Sequence, residues 1–365
     1  METKSVRLSR RTYLSIFIVI MKVSKSVISL GLALLFLISA IAGYTLFVVN
    51  KKSAVKNEQI IYISSSDTYD SVFKKLKPEL KYPNIFEYTA DLKDYAKYIK
   101  PGRYKIGTAL STMELINKLR SGDQDALNLK FNNQDYLEDL AERISQQLDL
   151  TKEDLLNSML DPDFLEKEGF TESTALNMYL PNSYQVYWTI SSEDLIRKLL
   201  RAYRNYWTPQ RQKLAEAQNL DPIEVSTLAS IVQKESSYVP ERATIAGLYL
   251  NRLNRGIPLQ ADPTIIYSLK EKLGKDYQVK RVLTKDLSIA SPYNTYLHPG
   301  LPKGPISMPD LSSIEAVLNP SKHRYIYMCA NPEAPGRHSF ARTLSEHNRN
   351  AKAYQRWLNK QGVKR

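Results

Sequence analysis

Between Val27 and Val49 the chain runs for 23 residues without a charged side chain. As a helix rising about 1.5 Å per residue, such a run crosses the roughly 30 Å hydrocarbon interior of a bilayer. Its flanks suggest an orientation. Arg7, Arg10, Arg11, Lys22 and Lys25 precede it, whereas Lys51, Lys52 and Lys56 behind it are mixed with Glu58. The basic excess belongs on the cytoplasmic side. The expectation is a cytoplasmic tail (1–26), one transmembrane helix (27–49) and a body outside the cell (inner) membrane. The rival is a cleaved signal peptide. Against it, the run is long for a signal core, and Phe47-Val-Val-Asn50 has no small-x-small cleavage site. Tyr13–Met21 is apolar but too short to span, and a start at Met21 would leave everything downstream unchanged.

The net charge of +13 makes an anionic partner plausible without specifying one. Residues 50–365 hold 45 basic and 37 acidic residues, a diffuse +8. They show no Arg/Gly-rich run and no aromatic-basic RNA-binding signature, so nucleic acid is not expected. Cys329 is the single cysteine and excludes an intramolecular disulfide. It lies in the apolar run Tyr325–Ala330 and reads as a core residue. His298, His323, His338 and His347 lack any tight ligand spacing, so no metal or cofactor is implied.

Behind the apolar run the signals mix strands and helices without regular βαβ alternation, which argues for an α+β fold. Residues 59–65 are rich in β-formers. Asp67 or Thr68 can cap a helix carrying Val72, Phe73 and Leu76, and Ser111 or Thr112 another that stops at Ser121-Gly122. Strands are expected at Pro101–Gly107 and Ala126–Phe131, completing a small module with no obvious catalytic set. From Tyr136 to about Leu220 the pattern is mostly helical, broken by Tyr179–Tyr184. A last helix is expected near Ser345–Lys360.

The segment opened by Asp221-Pro222 holds the chemistry. At about 100° per residue, Leu228, Ile231, Val232 and Glu235 share one helix face, while Gln233 and Lys234 point away. Glu235 thus stands where an apolar residue is expected, and Pro240 ends the helix just beyond it. Burial and the negative helix end both disfavour the carboxylate. A Glu kept protonated near neutrality is what glycosidic cleavage needs at the leaving oxygen. The alternative is a structural Glu paired with Arg242 or Arg252. A further helix is framed by Pro240 and Gly256, with Ile245, Leu248, Tyr249 and Leu253 facing a core. The loops around Pro258–Tyr267, Ser291–Tyr296 and Gly300–Ser307 collect amides, hydroxyls and tyrosines suited to sugars.

Several of these stretches together resemble a known family. Leu228-Ala-Ser-Ile-Val-Gln-Lys-Glu235, Asn251-Arg-Leu253, Leu259-Gln-Ala-Asp-Pro-Thr264 with Tyr267, Ser291-Pro-Tyr-Asn-Thr-Tyr296, Gly300-Leu-Pro302 with Gly304-Pro-Ile306, and His338-Ser-Phe340 with Glu346-His-Asn348 look like the endolytic murein transglycosylases, the MltG/YceG-like family. Two departures stand out. Gln233 replaces the first Glu of the family's Val-Glu-Lys-Glu, and Leu180-Pro-Asn-Ser-Tyr184 stands where members tend to carry Pro-Asp-Thr-Tyr.

The resemblance implies a LysM-like module (50–130) and a mixed helix/strand catalytic domain (131–365). The substrate would be uncrosslinked, newly made peptidoglycan strands, with peptidoglycan synthases as companions. Glu235 would be the catalytic acid/base for cutting the MurNAc-β-1,4-GlcNAc bond to a 1,6-anhydro end. Gln260, Asp262, Thr264, Tyr293 and Asn294 are the candidate substrate contacts. A lysozyme-type muramidase using Asp262 as second carboxylate, and a non-catalytic wall-binding scaffold, are the alternatives.

Overall fold

The computed structural model describes residues 10–361, so the first nine residues of the expected tail lie outside it. Helix α1 (Arg10–Lys51) begins well before the apolar run and contains it whole. Within it, Lys25–Lys51 is long and apolar enough to cross a membrane. Up to Phe47 nearly all its side chains are exposed, Leu30 by 73% and Phe36 by 78%, as an unpartnered apolar helix in water would not be.

The chain divides into two compact units, residues 1–125 and 126–365. In the first, the end of α1 is part of the packing: Val48 and Val49 are buried, and bridges Ser53↔Ser111 and Val55↔Leu80 follow at once. Strands β1 (Gln59–Ile63) and β2 (Gly102–Ile106) pair antiparallel, Ile61 opposite Tyr104. Between them run α2 (Tyr69–Leu76) and α3 (Pro83–Leu92), and α4 (Thr112–Ser121) follows. Thr68 caps α2 and Ser111 caps α4, each in a reciprocal capping box. Gly122, at φ 77°, closes α4 in the left-handed region that glycine adopts at least cost. Phe86, Tyr95, Tyr104, Ile106 and Leu115 form the core. The strand expected at Ala126–Phe131 does not join this unit. As β3 (Leu127–Phe131) it pairs antiparallel with β4 (Asn182–Val186) in the second unit, so the Tyr179–Tyr184 break runs into a strand.

The second unit is mainly helical. Helices α5 (Leu137–Ser145), α6 (Lys152–Met159) and α7 (Pro162–Glu168) lie between β3 and β4 in sequence, and α8 (Ser192–Tyr206) and α9 (Pro209–Glu216) follow. Helix α10 (Pro222–Glu235) starts on an Asp221/Glu224 capping box and is buried on every side from Val225 to Val232. Its buried hydroxyls stay satisfied. Ser226 and Ser230 donate back to the carbonyls of Pro222 and Thr227, and Ser230 Oγ also accepts the Ile306 N–H at 3.1 Å. Around it pack α11 (Arg242–Leu253), α12 (Asp262–Leu273) and α13 (Leu311–Leu318). The hairpin β5 (Tyr327–Ala330) and β6 (His338–Ala341), with α14 (Leu344–Lys360) against it, completes the unit.

Candidate active site

Helix α10 ends on Glu235 itself, and Ser236 is already extended. The carboxyl is half-buried at the wall of a cleft of about 470 Å³. Neither arginine proposed as its partner takes it. Arg242 pairs with Asp310 at 2.7 Å, and Arg252 donates to Gln260 Oε1 at 2.5 Å. Instead the Tyr249 hydroxyl, from α11, donates to Glu235 Oε1 at 2.5 Å. Burial pushes the Glu235 carboxyl up to about 7, with nearby Asp262 adding to the rise, while the Tyr249 hydrogen bond and His338 oppose it. With Oε1 accepting the Tyr249 hydrogen bond, Oε2 is the oxygen left to carry the acid's own proton. The group is thus poised to give a proton and take one back near neutral pH.

Gln233 does not point into solvent. Its Oε1 accepts the Asp310 N–H at 2.5 Å and the Ser313 hydroxyl at 3.3 Å, tying α10 to the start of α13. Only acceptor capacity is used there, which a glutamate supplies equally. Lys234 reaches Asp135 at 2.5 Å.

The five candidate contacts separate. Gln260 and Asp262 line the cleft with Glu235. Gln260 sits at φ 53°, a left-handed conformation costly for a side chain with a Cβ. Asp262 Oδ1 accepts the Tyr296 hydroxyl at 2.6 Å. Thr264 and Asn294 are fully buried and serve the loops. Thr264 Oγ1 bonds the Ala261 carbonyl and Thr295 Oγ1, and Asn294 Nδ2 donates to the carbonyls of Leu287 and Ile289. Tyr293 packs against Tyr267 with the rings tilted by 57° and their centres 4.7 Å apart, beside a different cavity.

Other residues of the cleft lie outside the five candidate contacts. Tyr249 is buried in the core as its helix face predicts, and it reaches the cleft as well, on the same face of α11 as Arg252, three residues on. Tyr296 and Tyr327 also line the cleft. So does His338, whose Nδ1 and backbone N–H meet the Glu241 carboxylate at 2.8 and 2.9 Å. Cys329, expected in a core, is half-buried on β5 along the same wall. The strand is too short and too near the cleft to bury both its faces.

Known proteins share this arrangement of sequence. The model of the YceG-like family matches residues 61–353. A Streptococcus pneumoniae protein called endolytic murein transglycosylase is 30% identical over 297 residues, 74% of this chain and 53% of that protein. The chain therefore spans about half the length of that relative. A Bacillus subtilis protein of the same name is 29% identical over 307 residues, covering 80% of this chain and 82% of its own. A crystal structure of a YceG-like protein from Listeria monocytogenes superposes with a TM-score of 0.54 at 28% identity, over 80% of this chain and 98% of that one. Matched over most of its length in both sequence and fold, the chain belongs to the YceG-like family.

Proposed function

We propose that the chain is an endolytic lytic transglycosylase, cutting the MurNAc-β-1,4-GlcNAc bond inside newly made peptidoglycan strands and so terminating their elongation. The observation that carries this reading is Glu235: a half-buried carboxyl that burial pushes up to about 7, in no ion pair among the described residues, facing a cleft lined by Tyr249, Tyr296 and Tyr327. Glu235 gives its proton to the O4 leaving oxygen as the C1–O4 bond breaks. The resulting carboxylate removes the O6 proton of the muramic residue while O6 bonds to C1. The proton returns to Glu235, a 1,6-anhydro ring closes and no water is consumed. One carboxyl serves both steps.

The same reading takes Lys25–Lys51 as a membrane tether with a cytoplasmic N-terminus, favoured by the basic flank before it. The part of the first unit behind the tether, residues 52–125, is taken as a LysM-like module that helps hold the strand, without β3, which pairs in the second unit. Synthases that make the strand would be neighbours at the membrane.

A muramidase is the second reading, because Asp262 faces the same cleft and its charge is felt by Glu235. Digesting purified glycan and weighing the products distinguishes them. Ends of 1,6-anhydro type are expected. Reducing ends one water heavier would replace this reaction by hydrolysis, and uncut strands would leave only a binding protein.

A further inference from the structure

Helix α11 buries two arginines, and only one has an acid. Arg242, 5% exposed, is neutralised by Asp310. Arg252, 7% exposed, pairs with no carboxylate among the described residues. Its hydrogen bonds go to neutral acceptors, Gln260 Oε1 at 2.5 Å and the Ile326 carbonyl at 3.2 Å, and its Nε–H has none. A buried cation without a counter-charge is strongly unfavourable, because its lost hydration is not repaid by an opposite charge. The fold accepts that cost at the wall of the cleft that Glu235 faces.

The surroundings suit an incoming anion. The Arg252 guanidinium lies 5.8 Å from the centre of the Tyr327 ring, and His347 stacks on the same ring at 5.3 Å. His347 Nδ1 is buried and without a partner. Burial, and after it the charge of Arg252, holds the His347 pKa down. The cleft carboxylates are committed elsewhere, Glu235 to Tyr249 and Asp262 to Tyr296.

We propose that Arg252, with His347 beside it on Tyr327, forms a carboxylate subsite that reads the lactyl arm of the muramic residue. This rests on the transglycosylase reading. A glycan of alternating N-acetylglucosamine and N-acetylmuramic acid is neutral except on that arm. It ends in a free carboxylate where the strand is peptide-free, and in the carboxylates of the stem peptide where it is not. A guanidinium, with five N–H donors in a rigid fork, suits either. By placing the charged sugar on one side of Glu235, the subsite selects the MurNAc–GlcNAc bond over the GlcNAc–MurNAc bond.

The test measures binding to the full chain in detergent carrying Glu235→Gln, whose cleavage is expected to be slowed by about 10² or more, over times short against the residual turnover. The ligands are a peptide-free glycan oligomer, the same oligomer with its lactyl carboxylates converted to methylamides, a peptide-bearing oligomer, and a chitin oligomer of equal length. With Arg252 intact, a carboxylate-bearing oligomer should bind at least about 10-fold tighter than the methylamide or chitin, and the gap should shrink with salt. A gap for the peptide-free oligomer assigns the lactyl carboxylate, and one only for the peptide-bearing oligomer assigns the stem. Arg252→Met should close the gap and Arg252→Lys should keep part of it. The comparison between ligands needs no Arg252 variant, so a variant that fails to fold leaves the test intact. Equal binding of charged and neutral oligomers overturns the subsite while leaving the glycan reading standing. Failure to bind any glycan, chitin included, overturns that reading as well.

Discussion

Helices α4 and α10 begin alike and end differently. Both open on a capping box, Ser111 with Glu114 and Asp221 with Glu224. Helix α4 then follows the rules to its finish. Lys118 and Arg120 sit in its last turn and Gly122 closes it in the left-handed region, satisfying the helix dipole and the final carbonyls. Helix α10 places a carboxyl at its negative end, half-buried, with a tyrosine for a partner. One helix is built for stability. The other tolerates an unfavourable last residue, and that residue faces the cleft.

Removing the carboxyl tests this contrast most severely. Glu235→Gln keeps the shape and most of the packing, and cleavage should fall by about 10² or more, the scale of a lost general acid/base. Stability should move the other way. The carboxyl's folded pKa, about 7, lies above its ordinary 4.5, so its contribution is intact below pH 4.5 and is lost as pH rises through 7. Glutamine does not titrate. Melts of parent and variant should therefore diverge in the variant's favour across that window, on the order of 3 kcal/mol at most. A folded variant with parental turnover would end the equation of the anomalous helix end with the active site.

The next effect concerns the tyrosine. Tyr249→Phe removes the hydrogen bond that lowers the Glu235 pKa, so the alkaline limb of the pH–rate profile should move to higher pH. Turnover at the optimum should drop by about 10-fold as Oε1 loses its donor. An unmoved limb would make Tyr249 a packing residue only. The smallest effect belongs to the orderly helix. Ser111→Ala should cost about 1 kcal/mol of stability, the usual value of an N-cap, with turnover per folded molecule unchanged. A change in turnover there would erase the division between the two helices.

Legibility in the sequence followed the range of the interaction. The caps of α2 and α4, the β1 strand and the apolar run were readable because each depends on neighbours a few residues apart. Helix α3 was missed, since Tyr82 makes no side-chain cap and only Pro83 marks the start. The local pattern places β3 with the first unit, whereas its partner β4 lies some fifty residues on, beyond the reach of such a pattern.

The sequence by itself determined that Glu235 would stand on an apolar helix face near a helix end, because helical periodicity and a following proline are local facts. It also determined the membrane-length run and the family motifs. Tertiary structure decided who meets whom. It set Tyr249 on Glu235, 14 residues apart, and Glu241 on His338, 97 apart. It gave Arg242 an acid and left Arg252 without one. It turned Thr264 and Asn294 inward to hold the start of α12, which presents Asp262, against the loop that presents Tyr296. A side chain's type states what it can bond, but only the packed fold brings a partner within about 3 Å, and at that distance a carboxyl becomes either an ion pair or an acid.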